Sequence, residues 1–98
     1  MKNPIQYLNK LFESRVRLGI MSALMVDEWV DFNDFKELLE VTDGNLASHL
    51  KALESSEYIE LRKQFAGRKP RTSYRASEKG KTAFQSHLTA LEKMINNG

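Results

Sequence analysis

The sequence predicts a mainly α-helical domain with one small β-hairpin, an α+β fold. Three observations carry that prediction. Apolar residues recur at helical spacing along much of the chain, as in Phe84, Leu88, Leu91 and Ile95 near its end. Residues 58–76 are instead rich in β-formers on both sides of the turn-like stretch AGRKPR. The chain has 98 residues, which suits a single domain over 1–98 with one modest core.

In chain order, NPIQYLNKLF reads as a helix start, with Asn3 as cap and Pro4 at the first helical position. Ile5, Leu8, Leu11 and Phe12 then share one face of that helix. A second apolar series, Val16, Ile20 and Leu24 with Met21 and Ala23 nearby, predicts a helix ending near Asp27. WVDF at 29–32 suits a single strand. NDFKELLEV forms a helix capped by Asn33, with Phe35, Leu38 and Leu39 buried.

TDGNLASHLKALESSEY starts a further helix from Thr42, with Asp43 in its first turn, where the helix dipole favours an anion. About three residues separate these two helices, the steep geometry of a helix-turn-helix. YIELRKQF and TSYRA form the hairpin strands, with Gly67 and Pro70 shaping the turn. Ser77 caps the last helix. A helix-turn-helix followed by a two-stranded hairpin is the winged-helix arrangement.

Composition narrows the functional classes. Apolar residues at 41% and charged residues at 29% fit a folded globular protein rather than a disordered one. The chain has no cysteine, so neither a disulfide framework nor a thiolate metal site is available. No stretch approaches the roughly 20 apolar residues of a membrane span, and the N-terminus lacks a signal-peptide run. A cytoplasmic protein with no membrane partner is expected. The net charge of +2 conceals a partition: residues 27–60 carry −8 and residues 62–81 carry +7. A local basic patch of this kind creates a field that attracts polyanions.

The segments TDGNLASHLKALE and GRKPRTSYRASEKGK, at their spacing, resemble the compact winged-helix transcriptional regulators related to the MarR and ArsR groups. The resemblance runs from about Arg15 to Leu91. It implies a prokaryotic DNA-binding regulator, usually a homodimer, with a wing that lies along the phosphate backbone and a tip that reaches the minor groove. The chain departs from the family at Glu57, where the family usually has glycine after the recognition helix.

The expected DNA contacts follow from helical geometry at 100° per residue. Leu46, Leu50 and Leu53 face the core. Gly44, Asn45, Ser48, Lys51 and Ala52 point the other way, forming a small, polar face without acids that fits a major groove about 12 Å wide. Asn45 and Ser48 are expected to read bases, and Lys51 to meet phosphate or guanine. Thr42, Arg62, Lys63, Arg68, Lys69, Arg71, Thr72 and Arg75 are expected on the DNA backbone; the hydroxyls of Ser73 and Tyr74 also lie within the expected reach of phosphates, and Tyr74 has the equal alternative of covering the core edge. His49 has two readings, packing against the preceding helix or bonding a phosphate. Tyr58 and Trp29 are read as core or rim packing.

The outer segments, 1–14 and 82–98, are expected to form the dimer interface through Ile5, Leu8, Leu11, Phe12, Phe84, Leu88, Leu91, Met94 and Ile95. His87 is a packing or interface residue. No catalytic motif, no cofactor site and no metal-ligand spacing stands out, so an enzyme is not expected. A small-molecule effector between the dimer helices and the DNA-binding part fits the resemblance, and no residue identifies one. The alternative function is a winged helix that contacts proteins.

Overall fold

A computed structural model of the chain describes residues 4–96. Two 3-10 turns, Pro4–Tyr7 and Lys10–Phe12, lead into α1 (Arg15–Val26). There follow β1 (Val30–Asp31), α2 (Phe32–Leu39), α3 (Asp43–Ser55), β2 (Ile59–Ala66), β3 (Lys69–Ala76) and α4 (Glu78–Asn96). The sheet is antiparallel in the order β1-β3-β2. This is the α+β winged-helix arrangement expected from the sequence.

The first expected helix is broken. Asn9 has an extended backbone (φ −94°, ψ 119°), and its side chain accepts from Leu11 N at 3.0 Å. Its backbone N–H donates to His87 Nδ1 at 3.0 Å, and its Nδ2 donates to the Tyr58 hydroxyl at 2.9 Å. These bonds to α4 and to the segment before β2 hold Asn9 out of helical geometry. Asn3, the expected cap, lies outside the described residues.

Two members of the expected dimer interface belong instead to the core of the chain itself. Phe12 is fully buried, and its ring meets Phe84 edge-on at 5.2 Å and stacks on Tyr58 at 5.3 Å. They join Ile20, Met21, Phe35, Leu46 and Leu53 in one cluster. Along α4 the buried stripe is Gly80, Phe84, His87 and Ala90. Leu88 and Ile95 therefore face outward, Ile95 at 79% exposure.

Local signals explain the boundaries of the central elements. Ser14 Oγ accepts from Arg17 N at the start of α1, and Thr42 Oγ1 accepts from Asn45 N at the start of α3. Residues 40–42 join α2 to α3, and Glu40 turns the corner with a left-handed φ of 51°. The cap of α2 is Asp31 rather than Asn33, and β1 is correspondingly only two residues long.

At the end of α3, Glu57 adopts φ 63°, Tyr58 N donates to Leu53 O, and Glu57 N donates to Glu54 O. This is the hydrogen-bonding pattern that glycine usually serves at a helix end. Ser77 then joins that corner to α4. Its Oγ donates to Glu57 O at 2.6 Å and accepts from Gly80 N at 2.9 Å.

The hairpin closes through a two-residue turn, Gly67 and Arg68, with Gly67 at φ 68° and Ala66 opposite Lys69. Pro70 is not part of the turn. It pairs with Phe65 within β3, at a level where β1 no longer flanks the strand. Proline lacks an N–H and is tolerated at such an open edge. Every residue from 60 to 71 is exposed, so the hairpin projects from the body. The molecule is accordingly elongated, 58 Å by 25 Å by 22 Å.

Candidate nucleic-acid interface

The outward face of α3 comprises Gly44, Asn45, Ser48 and Lys51, all exposed, while Leu46, Leu50 and Leu53 anchor the opposite face in the core. A Cβ at Gly44 would have no heavy atom within 4 Å, so this end of the helix is open to a partner. Ala52 is half-buried and stands at the edge of the face. Thr42 is exposed, but its hydroxyl is used as the α3 cap. Lys36 pairs with Asp43 at 2.6 Å, linking α2 to the first turn of α3.

The structure brings Arg17, which sequence reasoning passed over, to the flank of α3. Its Nη1 donates to His49 Nδ1 at 2.8 Å, and its Nε donates to the Leu11 carbonyl at 2.5 Å. The hydrogen-bond partner of His49 is therefore on α1. Burial, and then the Arg17 charge, hold the His49 imidazole below its ordinary pKa. With Nδ1 accepting, the neutral ring carries its proton on Nε2. The only sequence signal for Arg17 is its place, with Arg15, as one of two cations in a largely apolar helix.

The wing cations fall into two groups. Arg62, Arg71 and Arg75 lie on one side of the hairpin, because β2–β3 pairing sets them at alternate positions opposite Ser73, Gln64 and Glu60. Each is held within the chain. The Arg62 guanidinium lies 3.9 Å from the centre of the Trp29 ring, and that of Arg75 lies 5.0 Å from it. Arg75 also donates to Glu60 at 3.1 Å, and Arg71 Nε pairs with Asp31 Oδ2 at 2.7 Å. Lys63, Arg68 and Lys69, by contrast, have no ion pair among the described residues.

The expected hydroxyl contacts from β3 need correction. Ser73 is 2% exposed, and its Oγ donates to Asp31 Oδ1 at 2.5 Å. Tyr74 is buried against Phe35, and burial raises its pKa. The Ser73 hydroxyl is thus spent inside the chain, and Tyr74 covers the edge of the core, the second of its two expected roles. Thr72 is half-buried beside them. Trp29 is half-buried and covered by the two arginines, which gives it a rim position as expected.

His87, 2% exposed, accepts from Asn9 N through Nδ1 and packs edge-on against Phe12 at 5.3 Å. Burial lowers its pKa, against the opposing effect of Glu13. It is a packing residue. Among the described residues no three His, Asp or Glu side chains come together as a metal site requires, and no helix is long and apolar enough to cross a membrane.

Comparison with known proteins agrees with this geometry. The uncharacterized protein MJ0432 of Methanocaldococcus jannaschii is 35% identical over 88 residues, which cover 90% of this chain and 96% of that protein. A transcriptional regulator homologue from Pyrococcus horikoshii OT3 superposes with a TM-score of 0.85 at 29% identity, covering 99% of this chain and 97% of that one. MarR shares the fold alone, with a TM-score of 0.77 at 18% identity over 93% of this chain and 66% of its own. The model of the winged helix DNA-binding domain matches residues 16–95. With a core built on α1 to α3, an exposed polar face on α3 and a basic wing, the chain belongs to the winged-helix DNA-binding domain family.

Proposed function

We propose that the protein is a homodimeric, cytoplasmic regulator of transcription that binds double-stranded DNA with sequence preference. The observation that carries this reading is the exposed face of α3: Gly44, Asn45, Ser48 and Lys51 present small or hydrogen-bonding side chains beside a projecting basic wing. The helix enters the major groove, where Asn45 and Ser48 meet base edges and Lys51 meets guanine or phosphate. Lys63, Arg68 and Lys69 contact the DNA backbone, and Arg68 at the turn is placed to reach the minor groove. His49, with Nε2 as donor, serves a phosphate at the edge of the same face.

Dimer formation is supported by the apolar side chains left outward on the terminal segments. Ile5 is 58% exposed and Ile95 79%, with Leu88 and the half-buried Leu8, Leu11, Leu91 and Met94 beside them. A two-fold dimer would present two copies of α3 to half-sites about one DNA turn, roughly 34 Å, apart.

Fluorescence anisotropy with a labelled mixed-sequence duplex, titrated at several salt concentrations, tests the reading. Binding should weaken steeply with salt as Lys and Arg release counterions from phosphates. Absence of binding at low salt would favour the protein-contact alternative.

A further inference from the structure

Asp31 stands at the N-cap of α2, where an aspartate ordinarily bonds the first-turn amides, yet its side chain makes no cap hydrogen bond. Its carboxylate turns instead toward β3. There Oδ1 accepts from Ser73 Oγ at 2.5 Å, and Oδ2 pairs with Arg71 Nε at 2.7 Å. Ser73 is buried and Arg71 is half-exposed, so the carboxylate joins an interior anchor to a surface cation. The backbone reinforces the link, because Asp31 pairs with Ser73 in the β1–β3 register.

Arg71 meets Asp31 through Nε, and its two terminal nitrogens make no hydrogen bond among the described residues. The cleft of about 310 Å³ beside it is lined by Asp31, Phe32, Asn33, Pro70, Arg71 and Thr72, at the junction of α2 and the wing. A carboxylate in this position opposes a polyanion electrostatically, so bulk charge gives no reason for it to be there.

We infer that Asp31 is a positioning residue for DNA binding. It fixes the Arg71 guanidinium at the base of the wing so that its terminal nitrogens meet a backbone phosphate, and it aligns the wing with α2 and α3. Arg71 is then the pre-oriented phosphate contact, while Lys63, Arg68 and Lys69 are adaptable ones. This inference rests on the DNA-binding reading.

The sign of one substitution separates positioning from charge. Asp31→Asn removes a negative charge, so Coulomb's law alone predicts tighter DNA binding. Positioning predicts the reverse. Anisotropy titrations with the mixed-sequence duplex, across salt, should show binding roughly 3–10-fold weaker near physiological salt and a salt slope smaller by about one, as for Arg71→Ala. The double variant should bind no more weakly than Arg71→Ala, because the two residues act as one unit.

Tighter or unchanged binding by Asp31→Asn, or additive losses in the double variant, would overturn the inference. Should Asp31→Asn not fold, Arg71→Lys serves instead. It keeps the charge but has a single nitrogen to serve both carboxylate and phosphate, so several-fold weaker binding is expected and wild-type affinity would overturn the inference. Wild-type protein that fails to bind the duplex would sink the DNA-binding reading and this inference with it. Wild-type binding with unimpaired variants would sink the inference alone.

Discussion

The carbonyl oxygen of Tyr58 would clash with a Cβ on Gly80, so α4 rests directly on the backbone that leaves α3. Ser77 N donates to the same carbonyl at 3.0 Å. The end of α3, the start of β2 and α4 meet at this corner. Gly80→Ala gains helix propensity of about 1 kcal/mol. It also forces a methyl group against backbone that cannot swing aside, an overpacking cost of about 1–3 kcal/mol or more. The expected result in urea denaturation is a lower midpoint, despite the better helix former. A raised midpoint would mean that α4 does not approach Tyr58 this closely.

Glu57 predicts the opposite sign for a glycine. Its φ of 63° strains a side-chain-bearing residue by on the order of 1 kcal/mol. Its exposed partner Lys79 is 4.0 Å away and adds little. Glu57→Gly should raise stability by about 0.5–1 kcal/mol, whereas Glu57→Ala should not. Equilibrium unfolding of the two variants beside wild type makes the comparison.

The two histidines predict acid sensitivity. Both have folded-state pKa values lowered from the ordinary 6.5, with burial as the main cause. Above that value both states are neutral there, and the histidines contribute no pH dependence. As pH falls below it, the unfolded chain takes up protons first, so stability declines by at most about 1.4 kcal/mol per pH unit for each histidine, until the folded-state pKa is passed. His87→Gln should flatten this dependence in denaturation curves collected from about one pH unit above to about one unit below the ordinary histidine pKa. An unchanged slope would show that His87 is not held neutral by the fold.

Much of the architecture was legible because its signals are local. Thr42 and Ser77 are caps that act within three residues, and Leu46, Leu50 and Leu53 repeat at the helical period. Gly67 marked the hairpin turn, whereas the left-handed corner at Glu57 was signalled only by the glycine that the resembling family has there. What escaped depends on partners far along the chain. Asn9 breaks the first helix through His87, 78 positions away, and Asp31 is claimed by Ser73, 42 positions away. On α4, a search for large apolar residues picked out Leu88 and Ile95, while the buried stripe uses Gly80, His87 and Ala90. Within the candidate site, exposure of Asn45, Ser48 and Lys51 followed from helix periodicity. The ties that hold Arg17, Arg62 and Arg71 did not, since a cation in sequence looks the same whether solvated or stacked.

Trp29, the single tryptophan, offers a direct view of the wing. Arg62 lies over its ring, so Arg62→Ala should change the emission of the free protein. DNA that engages the wing should alter Trp29 emission in the wild type and alter it less in Arg62→Ala. Fluorescence titration with duplex DNA checks both expectations.

The central claim, that α3 reads sequence while the wing supplies charge, is tested most directly by selecting bound duplexes from a random DNA pool with wild type, Asn45→Ala and the Arg68→Ala/Lys69→Ala double variant. The account predicts an enriched motif with two related half-sites about one helical turn apart. Asn45→Ala should change the preferred bases, and the wing variant should lower affinity with the motif unchanged. No enriched motif from the wild type, or an identical motif from Asn45→Ala, would contradict it.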